Sequence, residues 1–362
     1  MTTPGTLTGF GRSCINRCGA PDNQVSTIRK ILFAGIRLLA TVGLLWALLG
    51  RVDLSRALEI IRHTSPPLVA AALIALLAGT PVVALRWHII LSAETPSPGV
   101  GRLLKIVLVG MFFNQLLPTG VGGDAVRAWR CRKLGIGLGA AIRSILLDRA
   151  CGYAGLVAVY GASLPALLRI LPDARQRSFV VAVFAVALSG LLGLLLLDQL
   201  PRPLLRHRLV APLAELSRNS RRLFTRPKSS SAVLALSLCG IGLGILAFKF
   251  VGSSVGARLS LASWVTIMPP VTLIQLLPVS LAGWGVREVV LVVALASFGI
   301  PAEAALATSV LAGLCLAAVG LPGGLIWLAN WDVAHPGGPA RPGSVSEPGR
   351  APKCQHDQRS SL

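Results

Sequence analysis

The chain has 362 residues, 53% hydrophobic and 14% charged, with a mean hydropathy of +0.70, a balance that excludes a single soluble core. Its 35 Lys and Arg outnumber 14 Asp and Glu, for a formal charge of +21, but they lie in loops between apolar runs, which speaks against a nucleic-acid face. The seven Cys are scattered and the five His form no spaced pair, so neither a metal site nor a disulfide framework is expected.

In chain order, residues 1–27 are polar and read as a disordered tail. The first span is expected over 31–49, too far from Met1 to be a removed signal peptide, with Arg37 snorkelling near one end. A second span covers 68–91. The next apolar stretch, 106–121, is short, and it runs into the basic segment holding Arg127, Arg130, Arg132, Lys133 and Arg143.

Basic loops mark the cytoplasmic side. The flank with Arg12, Arg17, Arg29 and Lys30, the segment 127–143, and the segment 202–228 should therefore share one face. That topology makes 104–126 enter and leave on the same side as a re-entrant hairpin. Its bend is "LPTGVGG", where Pro118 removes a backbone donor and Gly120, Gly122 and Gly123 allow unusual dihedrals. Spans over 144–168, 178–198 and 229–251 follow.

The long stretch 259–300 is interrupted by "LLPVSLAGWGVRE". It is either a second hairpin, bent at Pro278 and Gly283, or two full crossings. A last span over 303–329 leads into the polar tail 333–362, read as disordered and cytoplasmic like the first.

The two interruptions align at an offset of 160 residues: "QLLPTGVGGDAVR" at 115–127 lies over "QLLPVSLAGWGVR" at 275–287. Gln115, Leu116, Leu117, Pro118, Gly123, Val126 and Arg127 match Gln275, Leu276, Leu277, Pro278, Gly283, Val286 and Arg287. Each unit holds two spans, a hairpin and a third span. Three spans per unit turns the second unit upside down, the inverted-repeat plan of many transporters, in which interrupted helices meet near the midplane. The expected fold is an all-α polytopic membrane protein of about six full spans plus two re-entrant hairpins, in one domain over 28–332, with repeat one about 28–168 and repeat two about 178–331.

Charges at membrane depth are costly and face a cavity or a partner. The candidates are Asp124, Arg127, Asp148, Arg149, Lys249, Arg287 and Glu288. Arg127 and Arg287 follow Gly-rich bends, where a planar guanidinium and free backbone N–H groups can hold a lipid phosphate. The alternative is that each pairs with its neighbouring acid and pins the bend. Asn114, Gln115 and Gln275 either reach a head group or satisfy backbone freed by the nearby Pro. Lys249 is expected to snorkel, Trp129, Trp264, Trp284 and Trp327 to anchor at the interface, and Cys151, Cys239 and Cys315 to pack inertly.

No Walker or D-x-D pattern occurs in the chain, so no enzyme activity and no cofactor are expected.

"NQLLPTGVGGDAVR", "LLDR" at 146–149 and "LLPVSLAGWGVRE" together resemble the transmembrane region of the lysylphosphatidylglycerol synthase/flippase family. The resemblance covers roughly residues 30–330. It implies an integral inner-membrane protein of the flippase-like class, moving aminoacylated or other anionic lipids between leaflets. It also implies roles for Asn114, Pro118, Gly122, Gly123, Asp124, Arg127, Asp148, Arg149, Pro278, Gly283, Arg287 and Glu288. The full-length synthases carry a soluble aminoacyl-transfer domain after the membrane region; here a short polar tail follows, so lysyl transfer is not expected. The partners are then membrane lipids, with a separate lipid-modifying enzyme as the alternative setting.

Overall fold

The computed structural model describes residues 50, 52–117, 122–199, 227–276 and 285–329, with isolated positions between 39 and 46 and at 218. The bends Pro118, Gly120, Pro278 and Gly283, Trp284, nearly all of the first span and both tails lie outside the described residues.

Ten α-helices are described: α1 Leu54–Arg62, α2 Pro66–Ser92, α3 Val100–Leu116, α4 Gly122–Lys133, α5 Leu138–Ile170, α6 Ala174–Leu196, α7 Pro227–Ser254, α8 Leu261–Gln275, α9 Val286–Ala296 and α10 Ala302–Ala329. Local signals set several of their starts. Pro66 and Pro67 occupy the first turn of α2, where a missing N–H costs nothing. Asp53 caps α1 by accepting from the Arg56 N–H at 3.1 Å, and Ser260 caps α8 by accepting from the Ser263 N–H at 3.1 Å.

Five helices, α2, α5, α6, α7 and α10, are long and apolar enough to cross a bilayer. α6 exposes most of its length and has a single buried residue, Ala187. Two tyrosines of α5 hold it: Tyr153 donates to the Ala187 carbonyl at 2.9 Å and Tyr160 to the Val180 carbonyl at 2.7 Å.

The interrupted stretches are both hairpins of short helices. α3 has 17 residues and α4 has 12, lengths of about 25 and 18 Å against a hydrocarbon core of about 30 Å. They pack antiparallel, with Gly122 against Leu117, Gly123 against Asn114, and Gly110 against the stem of Arg127. The stretch 259–300 repeats the plan with α8 of 15 residues and α9 of 11, each shorter than the roughly 20 residues of a full crossing. Gly285, at φ 88°, starts α9 in the left-handed region that glycine tolerates best.

The inverted repeat is visible in the packing. α2 and α7, equivalent at the 160-residue offset, lie on each other and run antiparallel. Ala72 and Ala75 share a cluster with Ala247 and Val251, Val82 faces Gly240, and Ile90 clusters with Val233. The two hairpins are also exchanged between units: α3 packs on α10, and its counterpart α8 packs on α5. At the α3–α10 crossing Gly323 lies directly on the Leu108 carbonyl, a close approach of the kind small residues permit between membrane helices.

Candidate functional site

The first hairpin carries Asp124 and Arg127 on α4 and Asn114 on α3. Asn114 of α3 accepts from the Gly123 N–H at 2.9 Å, satisfying one of the orphan donors at the start of α4. Asp124 stands in the first turn, where the helix dipole favours an anion. Arg127, one turn later, is buried, and its guanidinium lies 4.1 Å from the centroid of the Trp87 ring.

Five charged side chains form a chain across three helices. Arg149 donates from Nε to Asp124 Oδ2 at 3.0 Å, and Arg127 Nη1 approaches Asp124 Oδ1 at 3.3 Å. Arg127 Nη2 lies 3.4 Å from Asp148 Oδ2, and Arg86 Nε donates to Asp148 Oδ1 at 2.8 Å. Arg86 also donates from Nη1 to Ser237 of α7 at 3.1 Å. Asp148 is only 2% exposed, and both of its oxygens face guanidinium groups, the pairing that a buried carboxylate needs. Three arginines against two aspartates leave the chain at +1. Arg127 Nε is buried without a hydrogen-bond partner among the described residues.

The second hairpin is neutral by comparison. Arg287 donates to Glu288 Oε1 from Nη2 at 2.8 Å and from Nε at 3.1 Å, and to Ser309 Oγ at 3.0 Å. Glu288 uses its other oxygen to accept from the Gly285 N–H at 2.6 Å. At the offset of 160 residues, Thr308 and Ser309 stand where the first unit has Asp148 and Arg149. The repeat therefore conserves the arginine but not the acid that faces it.

A half-open cavity of about 610 Å³ lies at the seam of the two units, between α2, α5, α7, α8 and α10. Its walls are mostly apolar, with Leu146, Leu156, Ile241, Phe248, Met268 and Leu316 among them, and Thr272 and Gln275 at one side. Two cations line it, Arg86 and Arg149. The Arg149 side chain is 50% exposed and spends only Nε on Asp124. The terminal nitrogens of Arg86 lie against Gly152, three residues after Arg149 on α5 and so on the same helix face. Nη2 of Arg86 has no partner among the described residues.

The sequence profile of the lysylphosphatidylglycerol synthase TM region matches residues 32–324. The chain belongs to this family. A UPF0104 membrane protein of Methanocaldococcus jannaschii is 26% identical over 122 residues, which is 33% of this chain and 36% of the relative. The match thus spans about a third of the length of that relative. Family and helices together make this an integral membrane protein.

The charged expected positions of this family member fall into two sites. Asp124, Arg127, Asp148 and Arg149 form one connected site, and Arg287 and Glu288 a second. Of the expected residues, only Arg149 and Gln275 line the cavity among the described residues. Asn114 serves the backbone, and Gln115 is exposed at the end of α3. Arg86 escaped the sequence reading because it sits inside the apolar span 68–91 with no acid nearby; its partner is 62 residues away. Its one local signal is a guanidinium well inside an apolar run, beside Trp87. Two expectations are corrected. Trp264 is fully buried in the α8–α9 core instead of anchoring at an interface, and Cys239 is exposed on α7. Trp129 and Trp327 do meet, at 5.5 Å, beside Arg130 and Lys133, a basic and aromatic cluster of the interfacial kind.

Proposed function

We propose that this chain is a lipid translocase, carrying a phosphate-bearing lipid between leaflets of a bacterial-type inner membrane with both termini cytoplasmic. The supporting observation is the cavity between the inverted units, apolar along its walls and carrying spare guanidinium donors from Arg86 and Arg149. A phosphate fits donors of that geometry, and the apolar walls fit acyl or prenyl chain. The family name, which refers to the membrane region of a lipid enzyme, agrees with a lipid cargo.

In this reading the phosphate contact lies with Arg86 and Arg149 and away from Arg127 and Arg287. Both guanidiniums are engaged by carboxylates, so their role in this reading is to pin the hairpins. The work of the site is transport and not bond chemistry.

Reconstitution into liposomes containing fluorescent phospholipid, followed by a membrane-impermeant quencher, measures the movement directly. Wild type should expose label from the inner leaflet faster than empty vesicles, and Arg149→Gln should slow it. Wild-type rates in Arg149→Gln would remove the arginine from the mechanism. Tight lipid binding with no transfer would favour the alternative, presentation of lipid to a separate enzyme.

A further inference from the structure

Building on the translocase reading, we propose that the cargo is a lipid with a net-negative phosphate head and no ammonium group, and that Arg86 and Arg149 select it by charge. Among the described residues, the cavity wall holds two guanidiniums and no carboxylate. The nearest acids are spent. Asp148 gives one oxygen to Arg86 and the other to Arg127. Asp124 gives one to Arg127 and the other to Arg149. Each oxygen of these two carboxylates already faces a guanidinium.

The count of three arginines to two aspartates leaves one uncompensated positive charge, and a phosphodiester monoanion neutralises it. An aminoacylated head group brings an ammonium into the same walls, where low dielectric and scarce water strengthen the repulsion. The uncharged acceptors do not make up the difference. Thr272 Oγ1 donates to the Met268 carbonyl at 2.8 Å and Tyr153 to that of Ala187, and these hydroxyls and the Gln275 amide offer an ammonium only neutral oxygens, with no charge to offset it. The specificity comes from the missing counter-charge as much as from the donors present.

The position of the donors supports a single phosphate. Arg149 and Gly152 lie one turn apart on α5, and the Arg86 guanidinium rests on Gly152 at 3.3–3.4 Å from where a Cβ would stand. Both guanidiniums thus address one small region of the wall.

The experiment uses the full chain in phosphatidylcholine vesicles with a trace of fluorescent phosphatidylglycerol, phosphatidylethanolamine or lysyl-phosphatidylglycerol, and in parallel measures binding of the same three lipids in detergent. Phosphatidylglycerol should move and bind best, with lysyl-phosphatidylglycerol lower by roughly tenfold or more, the effect of about one lost charge contact. Gln275→Glu, checked for folding by size exclusion and thermal transition, should narrow or invert that ratio by placing a carboxylate on the wall. Equal or faster movement of lysyl-phosphatidylglycerol by wild type overturns the charge selection and leaves the translocase reading standing. Charge-selective binding without movement of any lipid does the opposite.

Discussion

Arg86 of α2 donates from Nε to Oδ1 of Asp148 on α5 at 2.8 Å, a buried pair joining two spans whose residues are 62 apart in sequence. Asp148 is nearly inaccessible and serves Arg127 as well, so removing Arg86 strands half of a buried carboxylate. Arg86→Met should destabilise the protein by about 3–5 kcal/mol, the range for breaking one partner of a buried pair. Asp148→Asn should act on the same contact, and the double variant should show a coupling of about 0.5–3 kcal/mol. Thermal or denaturant unfolding in detergent measures the cycle; simple additivity would mean that the pair contributes nothing as a pair.

The glycines at the helix crossings give a second prediction. A methyl on Gly123 would overlap the Gly110 carbonyl, and one on Gly323 would overlap the Leu108 carbonyl. Both neighbours are backbone, which cannot swing away as a side chain can. Gly123→Ala and Gly323→Ala should each cost about 1–3 kcal/mol, the usual penalty for overpacking. Gly242 of α7 has nothing within 4 Å of its Cβ position, so Gly242→Ala should be neutral or slightly stabilising. Monodisperse yield and melting temperature of the three variants separate these outcomes.

Much of this architecture was open to sequence reading because punctuation residues sit where the backbone must break. Pro and Gly near 118–123 and 278–283 marked both hairpins, and the shared Gln, Pro, Gly and Arg exposed the repeat. The order of α2 to α5 against α7 to α10 then followed from one offset. What stayed hidden depends on contacts between distant helices. Arg86 has no local acid, and its role comes from Asp148 and Ser237 approaching from two other helices. Trp264 was misplaced for a related reason: Trp in an apolar run reads the same whether it meets lipid or the α9 face. The asymmetry between the two arginine sites was written in the sequence as Thr308 and Ser309, but only the contacts of Arg287 give those positions meaning.

Inversion of the two units should be readable from opposite sides of a membrane. Leu134, just past α4, and Leu261, at the start of α8, stand at the mouths of the two hairpins and are exposed. In a background with the native cysteines replaced, Leu134→Cys should react with an impermeant maleimide from the cytoplasmic side and Leu261→Cys from the other. Labelling of both from one face would contradict the inverted arrangement, whatever the cargo.

Gly152 offers the sharpest separation of fold from transport. A Cβ there would stand 3.3 Å from Arg86 Nη1 and 3.4 Å from Nη2, and Arg86 cannot retreat freely while Asp148 and Ser237 hold it. Gly152→Ala forces a displacement of a few tenths of an ångström, and Gly152→Val also covers the guanidinium on its cavity side. Transport should fall slightly in the first and by roughly tenfold in the second, the scale of about one lost charge-assisted hydrogen bond. Neither substitution removes a buried partner of Asp148, so the melting temperature should change less than in Arg86→Met. Wild-type transport by Gly152→Val would mean that the lipid phosphate never meets Arg86 and that Arg86 serves only to hold Asp148.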